Sequence, residues 1–367
     1  MPLPRSLRIC LLALTSIAAI LIALVYCLTW HPDAREEAPV ACHIAAPILQ
    51  PGQAIKVMTW NLQSFGGKGR IPQYQLDRTA PPTRQPSASQ RAATLDQVVR
   101  ILREEQPDVL LLQELQDGAR ASDYDDQLAL LMERLSDLYP CRSEAFYWRA
   151  AFIPHPRVLG SAGMKLATLS RFQMTRAERL QLPQAGGNPL TRPFGLKPAL
   201  LLSHLPLNGG GELVAINSHL YGPSQDDDTL FRQVEMSRGL LEHLEQEGTP
   251  WVFGGDLNLL APGQYQQLPP DQRSDYAPRS ELTALAARFP SIPSAAEATG
   301  AERQQWYTYA PDTSRASRPD RTLDHLLHSA RLHRLGAQVR NGDTPDISDH
   351  LPLSARLLLP LNGGPSP

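Results

Sequence analysis

The chain has 367 residues, of which 42% are hydrophobic and 20% charged, with 34 prolines and a formal net charge of -2. This composition is typical of a globular protein with a full apolar core and excludes a largely disordered chain. The near-neutral charge excludes a general electrostatic attraction to nucleic acid, although a local basic patch is compatible with it.

The N-terminal segment differs from the rest of the chain. Arg5 and Arg8 precede an apolar run at residues 9–30. As a helix this run would be about 33 Å long, enough to cross the hydrocarbon core of a bilayer. The arginines before it predict that residues 1–8 are cytoplasmic and that the following domain is periplasmic or extracellular. A cleaved signal peptide is the alternative, but residues 25–28 lack the small side chains of a cleavage site.

Four cysteines divide between the two parts of the chain. Cys10 and Cys27 fall within the apolar run, whereas Cys42 and Cys141 lie in the exported part, where a disulfide can form and persist. The sequence leaves open whether Cys42 and Cys141 pair. Because no cysteine has the spacing of a metal-ligand motif, a structural zinc site is not expected.

One exported domain is predicted at residues 54–360, because neither a repeat nor a break in composition divides it. A proline- and alanine-rich tether at residues 31–53 precedes the domain, and a disordered tail at residues 361–367 follows it. The domain opens with a strand at residues 55–61 and a loop at residues 66–89 that is rich in glycine, proline and arginine.

Helices and strands alternate after this loop, which predicts an α/β fold of two packed sheets with helices outside. A helix with one apolar stripe ends before Pro107, and the apolar run at residues 109–113 is typical of a strand buried on both faces. Ser122 is predicted to cap the next helix, and the glycines at 209–211 to form a hairpin turn. The other predicted elements are strands at 165–170, 199–205, 212–219, 251–256, 322–328 and 351–358 and helices at 226–247 and 280–289.

Polar residues follow several of these apolar strands, where a rigid scaffold can present them. Taken singly, most have an ordinary structural explanation: Asn61 as a turn former, Glu114 as the first solvated residue past a strand, His219 and His350 as histidines at the edge of the core. Asp324 differs, because a carboxylate inside an apolar strand needs a partner when buried. The segments are 60–62, 113–114, 217–220, 255–258, 323–325 and 348–352.

As a set, these acids, histidines and asparagines indicate a metal-dependent hydrolytic site. Hard oxygen ligands suit Mg²⁺ or Mn²⁺, which bind through one or two carboxylates together with water and substrate phosphate. The sequence offers no serine or cysteine nucleophile with a partnered base.

In their order, the segments resemble the endonuclease/exonuclease/phosphatase superfamily, which includes pancreatic-type deoxyribonucleases, apurinic endonucleases, neutral sphingomyelinases and inositol polyphosphate 5-phosphatases. The most specific are Gly-Asp-Leu-Asn at 255–258, Leu-Asp-His at 323–325 and Ser-Asp-His-Leu-Pro at 348–352. The resemblance spans residues 54–358. It implies a four-layer α/β sandwich, with two packed mixed β-sheets flanked by helices and the site at one end of the sheets.

The resemblance also implies roles for the residues at matching positions. Glu114 is the principal metal ligand, with Asn61 and Asp349 in the metal shell, and Mg²⁺ is the implied ion, with Mn²⁺ as the alternative. Asp256 orients or deprotonates the attacking water, and Asn258 holds that water or a phosphate oxygen.

Further residues are expected to contact the substrate phosphate. By the same resemblance, His350 contacts the scissile phosphate with Asp324 bonded to its other nitrogen, and His219 binds phosphate or acts as general acid. Arg171 matches a family segment of variable role. Arg318 and Arg321 precede Asp324 and are placed to meet an anion. The basic residues of the insert between Asn61 and Glu114 form either a substrate loop or a solvated insert, namely Lys68, Arg70, Arg78, Arg84 and Arg91.

The expected protein is a monomeric, membrane-anchored, metal-dependent hydrolase of phosphoesters, with phosphodiesters preferred. Anchoring favours lipid or other surface phosphoesters, although the sequence shows no obvious apolar finger for entering a bilayer. A DNA endonuclease of the same fold is the main enzymatic alternative, and the near-neutral charge counts against it. A small-molecule substrate is also open. A non-catalytic binding domain and a purely structural anchored protein are disfavoured, because every matched position holds a competent residue.

Overall fold

The apolar strands of this chain assemble into two seven-stranded sheets that pack face to face in a four-layer α/β sandwich. Helices cover the outer face of each sheet. The structure is a computed structural model, and it describes residues 4–42, 46–67, 85–156, 158–186, 189, 191–222, 228–310 and 318–361.

Within these residues the helices and strands follow the chain order below. The helices are α1 (Arg5–Leu28), α2 (Ala88–Glu105), α3 (Gln127–Leu135), α4 (Thr229–Gln246), α5 (Leu282–Ala286) and α6 (Ala295–Thr299). The strands are β1 (Arg35–Ala38), β2 (Val40–Cys42), β3 (Ala54–Asn61), β4 (Val109–Gln116), β5 (Cys141–Ile153), β6 (Gly160–Ser170), β7 (Arg176–Gln181), β8 (Ala199–Pro206), β9 (Glu212–His219), β10 (Trp251–Asp256), β11 (Ser291–Ile292), β12 (Asp324–His328), β13 (His333–Val339) and β14 (Leu353–Leu358).

Each sheet contains one parallel pair among antiparallel neighbours. The first sheet has the order β13-β14-β3-β4-β6-β5-β2, and β3 and β4 run parallel. The second has the order β1-β7-β8-β9-β10-β12-β11, and β9 and β10 run parallel. Because a parallel pair brings two carboxyl ends to the same edge, each sheet presents two adjacent strand ends at one end of the sandwich.

Successive side chains of β4 point to opposite faces of the sheet, and burial of both faces explains the apolar run at its start. Val109 and Leu111 pack between the two sheets, whereas Leu110 and Leu112 pack under α2 and α3 on the outer face. All four side chains are buried. The prediction of a strand buried on both faces is therefore confirmed, and β4 forms part of the rigid floor beneath the polar residues at its end.

The strands predicted downstream are also present, with the hairpin of β8 and β9 turning at the glycines 209–211. The prediction for Ser122 is wrong. Asp126 caps α3, because its carboxylate accepts hydrogen bonds from the backbone N–H groups of Leu128 and Ala129 at 3.1 and 3.2 Å. Ser122 instead lies in a 3₁₀ turn before the cap.

The segment at residues 31–53 is more than a tether. It contributes β1, which pairs with β7 in the second sheet, and β2, which pairs with β5 in the first. A disulfide bond between Cys42 and Cys141 joins β2 to β5. These strands have only four and three residues, too few to show a period-two pattern in the sequence.

The predicted insert is described only at its ends. The helix after it begins at Ala88, inside the stretch predicted as loop, with Ser87 and Gln90 forming a capping box. Arg91 lies in this helix, is buried and pairs with Asp123, so it is a structural residue rather than a substrate contact. Lys68, Arg70, Arg78 and Arg84, like Asp226 and the tail after residue 361, lie outside the described residues.

Candidate active site

Polar side chains gather at the end of the sandwich where β3, β4, β9 and β10 have their carboxyl ends, here called the site end. The two parallel pairs bring Asn61 and Glu114 from one sheet next to His219 and Asp256 from the other. β12 runs antiparallel to β10, so Asp324 pairs directly with Asp256. All five residues are buried. The structure therefore brings together residues that the sequence separates widely.

Asp256 is the hub of this cluster. The Asn61 side-chain amide donates hydrogen bonds to Glu114 Oε1 and to Asp256 Oδ2, both at 3.0 Å. The His219 ring places Nε2 3.3 Å from Asp256 Oδ2 and Nδ1 4.0 Å from Glu114 Oε1. Because the amide nitrogen of Asn61 faces both carboxylates, Asn61 holds these two acids in position and turns its own oxygen away from them.

Asp324 and His350 form a buried pair beside the hub. His350 Nδ1 lies 2.7 Å from Asp324 Oδ2, and its Nε2 lies 3.4 Å from Asp256 Oδ2. The His350 backbone is fixed as well, since its carbonyl accepts a 3.0 Å hydrogen bond from the Trp60 indole. Burial alone lowers the pKa of His350, but Asp324 and Asp256 outweigh it and raise that pKa well above its ordinary value. The pair therefore favours an imidazolium.

Two residues of the site have left-handed backbone angles. Glu114 has φ +61° and lies where the register between β4 and β6 shifts. It is 2% exposed and inside the strand, so the interpretation of Glu114 as a solvated residue past the strand is wrong. Asn258 has φ +53°, its backbone N–H donates to Asp256 Oδ1 and its side-chain amide donates to the Leu220 carbonyl, both at 3.0 Å. Such backbone conformations recur at functional sites.

Asp349 completes a crowded group of acids. Burial raises the pKa of Asp349, the charge of His350 opposes this, and the neighbouring carboxylates of Glu114, Asp256 and Asp324 add to it, so that the pKa lies at about 7. Several carboxylates in one buried space repel one another unless a proton or a cation sits among them. The site therefore has an electrostatic requirement for positive charge.

The residues present fit a hard divalent cation. Ligand atoms of Glu114, His219 and Asp256 lie within 4.8 Å of one another. Carboxylate oxygens dominate this donor set and are the ligands that Mg²⁺ and Mn²⁺ prefer. Glu114 and Asp256 would hold the ion, with Asp349 close by. Asp256, Asp324 and His350 form a second group of this kind, but the bond between Asp324 and His350 already occupies two of its members.

Tyr147 is a site residue that the sequence analysis missed. Its hydroxyl lies 3.1 Å from His219 Nδ1, with the two rings edge to face. Burial raises the pKa of Tyr147 well above its ordinary value, as do the charges of Glu114 and Asp256, so it remains a neutral phenol. The only available signal was the aromatic run at 146–148, in a strand that the analysis did not predict.

The two sheets are joined directly beneath the site. Gln113 Nε2 donates to Asn217 Oδ1 at 2.7 Å, and Asn217 Nδ2 donates to the backbone carbonyls of Leu112 and Ala167, both at 2.9 Å. Asn217 belongs to β9 and its partners belong to β4 and β6 of the facing sheet. These buried bonds set the distance between the two halves of the cluster.

The three arginines expected to meet the substrate have different positions. Arg171 lies 3.6 Å from Asp108, which precedes β4, so the structure places it about 20 Å along the strand from Glu114 and does not bring it to the site. Arg321 is 3% exposed and packs over the ring of Tyr309, which in turn contacts the His350 ring at 4.8 Å. Arg318 is exposed.

The fold of the chain and the acid cluster at its strand ends are both features of one family of known proteins. The model of the endonuclease/exonuclease/phosphatase family matches residues 58–350, which is more than half of the chain. The chain belongs to this family. Family members are metal-dependent phosphoesterases, and the resemblance stated from the sequence motifs is confirmed.

Solved structures show the same fold at low sequence identity. An endonuclease/exonuclease/phosphatase from Beutenbergia cavernae DSM 12333 superposes with a TM-score of 0.53 at 19% identity, covering 84% of this chain and 72% of that one. The human Nocturnin catalytic domain with bound sulfate gives 0.50 at 18%, covering 87% and 96%. TDP2 from Caenorhabditis elegans gives 0.50 at 17%, covering 84% and 76%. No curated protein sequence matches the chain significantly.

Proposed function

We propose that the protein is a membrane-anchored, Mg²⁺-dependent hydrolase of phosphoesters, with phosphodiesters preferred over monoesters. One observation supports this above the others: Asp256 Oδ2 lies 3.0 Å from Asn61 Nδ2, 3.3 Å from His219 and 3.4 Å from His350. A single carboxylate thus faces two imidazoles and an acid cluster that needs a cation. Water activation next to groups that bind phosphate is the chemistry such a cluster performs.

The side chains divide the work of an in-line displacement by water. Asp256 accepts the proton of the attacking water, and the backbone N–H of Asn258 holds Asp256 Oδ1 in place. His350, kept protonated by Asp324, donates its Nε2–H to a phosphate oxygen as negative charge grows there. We assign the protonation of the leaving oxygen to His219, the second imidazole that faces Asp256. Glu114 and Asp256 would hold the divalent cation, which would supply positive charge to the phosphate.

The apolar N-terminal helix supports the membrane part of the proposal. α1 has 24 residues, about 36 Å as a helix, and none of them is buried by the domain. A bare apolar surface of this length needs an apolar environment, and a bilayer core of about 30 Å supplies it. Arg5 and Arg8 at its start favour a cytoplasmic N-terminus and a catalytic domain on the periplasmic or extracellular side.

A substrate panel tests the activity. The full chain, purified in detergent, is assayed with Mg²⁺, Mn²⁺ or EDTA against a soluble chromogenic diester, phosphodiester lipids, inositol phosphates and plasmid DNA. We expect cation-dependent hydrolysis that His350→Ala reduces by about 10²- to 10⁴-fold, the usual contribution of such a group.

His204→Ala is the matched control. His204 is 4% exposed, like His350, but it pairs with Glu212 at the opposite end of β8 and β9. It should retain near wild-type turnover. Equal activity of the His350→Ala variant and the wild type, or hydrolysis unaffected by EDTA, would refute the proposed site. Fastest cleavage of plasmid DNA would instead support the nuclease alternative.

A further inference from the structure

The C-terminal end of α1 is docked onto the domain. Thr29 forms a β-bridge with Ala150 of β5. The next residue, Trp30, lies with its ring centre 4.7 Å from the Arg179 guanidinium and 5.9 Å from Lys197 Nζ. Cation–π contacts of this kind hold a tryptophan in a defined orientation. The helix therefore reaches the domain without a flexible linker between them.

The partners of Trp30 are themselves fixed to β5. Arg179 is 1% exposed and donates hydrogen bonds to the carbonyls of Phe146 at 2.8 Å and Lys197 at 3.0 Å. The backbone N–H of Lys197 donates to the Tyr147 carbonyl at 2.6 Å. Trp30 thus rests on groups bound to the same strand that presents Tyr147 to His219. The end of α1 is therefore held against a defined part of the domain, at the strand β5.

Strand directions show which end of the sandwich α1 enters. Ala150 pairs with Ala162 of β6, and Lys165 of the same strand pairs with Leu115, the residue after Glu114. The second half of β5 therefore lies at the site end. In the other sheet, the strand β7 pairs with the start of β8, and the start of β8 pairs with the last residues of β9. Arg179 of β7 therefore also lies at the site end. α1 leaves the domain from the site end.

Exposed apolar side chains also cluster at the site end. Phe152 lies near the end of β5, Leu159 lies in the turn before β6, Tyr124 lies between β4 and α3, and Phe231 lies in the first turn of α4 after β9. All four lie at the site end and are called here the apolar rim. In the described residues outside α1, the other large exposed apolar side chains lie near the opposite end, at Ile48, Leu335 and Leu361.

Two exposed arginines accompany the rim. Arg120 donates hydrogen bonds to the carbonyls of Val158 and Leu159 in the β5–β6 turn, and Arg149 stands on β5 beside it. Apolar side chains with neighbouring arginines are the composition of a surface that meets lipid headgroups, since the guanidinium groups contact phosphates while the apolar groups enter the interface. The structure thus brings exposed apolar side chains and arginines together around the end of β5 and the turn after it, where the sequence alone showed no apolar finger.

We propose that the site end faces the bilayer that α1 enters, and that the enzyme hydrolyses phosphoesters of lipids in that same membrane. The proposal rests on the proposed function for its chemistry, and on the docking of α1 and the apolar rim for its geometry. A bilayer would cover both the exposed apolar surface of α1 and the apolar rim, and we therefore infer that the bilayer is the partner of both. A phosphate at the surface of that bilayer would then face the end of the domain that carries the site.

Site-specific labels test the orientation independently of activity. The full chain carrying Cys10→Ser and Cys27→Ser receives one environment-sensitive fluorophore, at Leu159→Cys in the rim or at Leu335→Cys at the opposite end. In phosphatidylcholine–phosphatidylglycerol vesicles, the label at 159 should shift to the blue and be quenched by headgroup spin-labelled lipid. The label at 335 should behave as in water. Equal quenching at both positions, or stronger quenching at 335, would overturn the orientation.

A linker variant tests the consequence for the substrate. Trp30→Ala combined with a flexible Gly-Ser insertion between Pro32 and Asp33 releases the domain from α1, while the same insertion in the 209–211 turn is the matched control. Release should lower hydrolysis of phosphodiester lipids in the protein's own vesicle about tenfold, through lost effective concentration. Hydrolysis of a soluble chromogenic diester should not change.

The outcomes separate the two proposals. If released and control variants hydrolyse vesicle lipid equally, the inference about the membrane substrate is wrong while the hydrolase stands. If the unmodified chain cleaves neither substrate, the proposed function fails, and the label positions still decide which end of the domain faces the bilayer.

Discussion

Asp324 illustrates how a single buried carboxylate sets the chemistry of its neighbour. It is fully buried, bonded to His350 Nδ1 at 2.7 Å, and it counters the lowering of the His350 pKa that burial would cause. Its need for a partner could be inferred from the sequence alone, because a charged residue in an apolar strand is costly without one. The identity of the partner could not, since His350 is distant in the chain.

Asp324→Asn should shift the pH dependence of hydrolysis. In the wild type the pKa of His350 is raised well above 6.5, so the imidazolium persists as the pH rises. Without the Asp324 charge the pKa of His350 falls, and the imidazolium is lost at a lower pH. The basic limb of the profile of kcat against pH for the soluble diester should move to lower pH. An unchanged limb, matching that of the surface variant Asp343→Asn, would contradict the role of Asp324.

Tyr147→Phe should weaken turnover without unfolding the protein. The ring and its packing remain, but the hydroxyl that lies 3.1 Å from His219 Nδ1 is lost. One such hydrogen bond is worth about 1 kcal/mol, so kcat should fall about fivefold with KM nearly unchanged. Tyr139→Phe is the control, because Tyr139 is equally buried and its charged neighbours, Arg171 and Asp108, lie away from the site. Equal kcat values for the two variants would remove Tyr147 from the site.

At the level of elements, the close approach of two strands limits which side chains can be accommodated between them. Gly255 of β10 has φ +148°, and a Cβ at this position would lie 1.8 Å from the Ser218 carbonyl oxygen on β9. The Gly-Asp-Leu-Asn motif thus begins with a glycine because two parallel strands meet there, immediately before Asp256. The motif was recognised from the sequence, but this steric reason is visible only once β9 and β10 are paired.

Gly255→Ala should destabilise the fold by about 3 kcal/mol or more, through backbone strain and displacement of β9. Gly239→Ala, in α4 with open space around it, should instead stabilise the protein by up to about 1 kcal/mol, because alanine is the better helix former. Denaturant unfolding of the detergent-solubilised chain, followed by the fluorescence of the buried Trp60 and Trp251, measures both. Similar midpoints for the two variants would argue against the β9–β10 contact.

Elements were predictable where they had a strong periodic signal. β4, β9 and β10 have unbroken apolar runs, because both of their faces are buried, and their bounds were close to those predicted. β5 was missed, since it mixes charged and apolar residues and its face toward solvent is only partly covered. β1 and β2 were missed because their pairing with distant strands, not their composition, makes them strands.

For the whole molecule, the disulfide bond between Cys42 and Cys141 ties the segment after α1 to the edge of the first sheet. The two cysteines are separated by 99 residues in the chain, so the bond restricts a large loop of the unfolded state. The sequence identified both cysteines but left their pairing open, because only the positions of β2 and β5 bring them together.

Replacing both cysteines by serine should lower the free energy of unfolding by about 2–4 kcal/mol. Reduction of the wild type with dithiothreitol should have the same effect. Denaturant unfolding at neutral pH measures the change, and the double replacement of Cys10 and Cys27, which are free, should leave it unaffected. A midpoint insensitive to dithiothreitol would show that the bond contributes nothing to stability.

The fold class was predictable because the spaced motifs are specific to one family, whose architecture is known. The relation of α1 to the domain was not, since it depends on the contact of Trp30 with Arg179 and Lys197, three residues with no pattern in common. The same is true of the joint between the sheets at Gln113 and Asn217. Contacts between distant side chains leave no local trace in the sequence.

The hydrogen bond from the Trp60 indole to the His350 carbonyl spans 290 residues of chain. Asn61, next to that tryptophan, and His350 belong to the same cluster, so the chain must be synthesised almost to its C-terminus before the cluster can form. Any translation product that ends before residue 350 lacks this imidazole and its pair with Asp324. An incompletely synthesised chain therefore carries no complete site for the proposed hydrolysis, even when α1 and most of the strands have already been made.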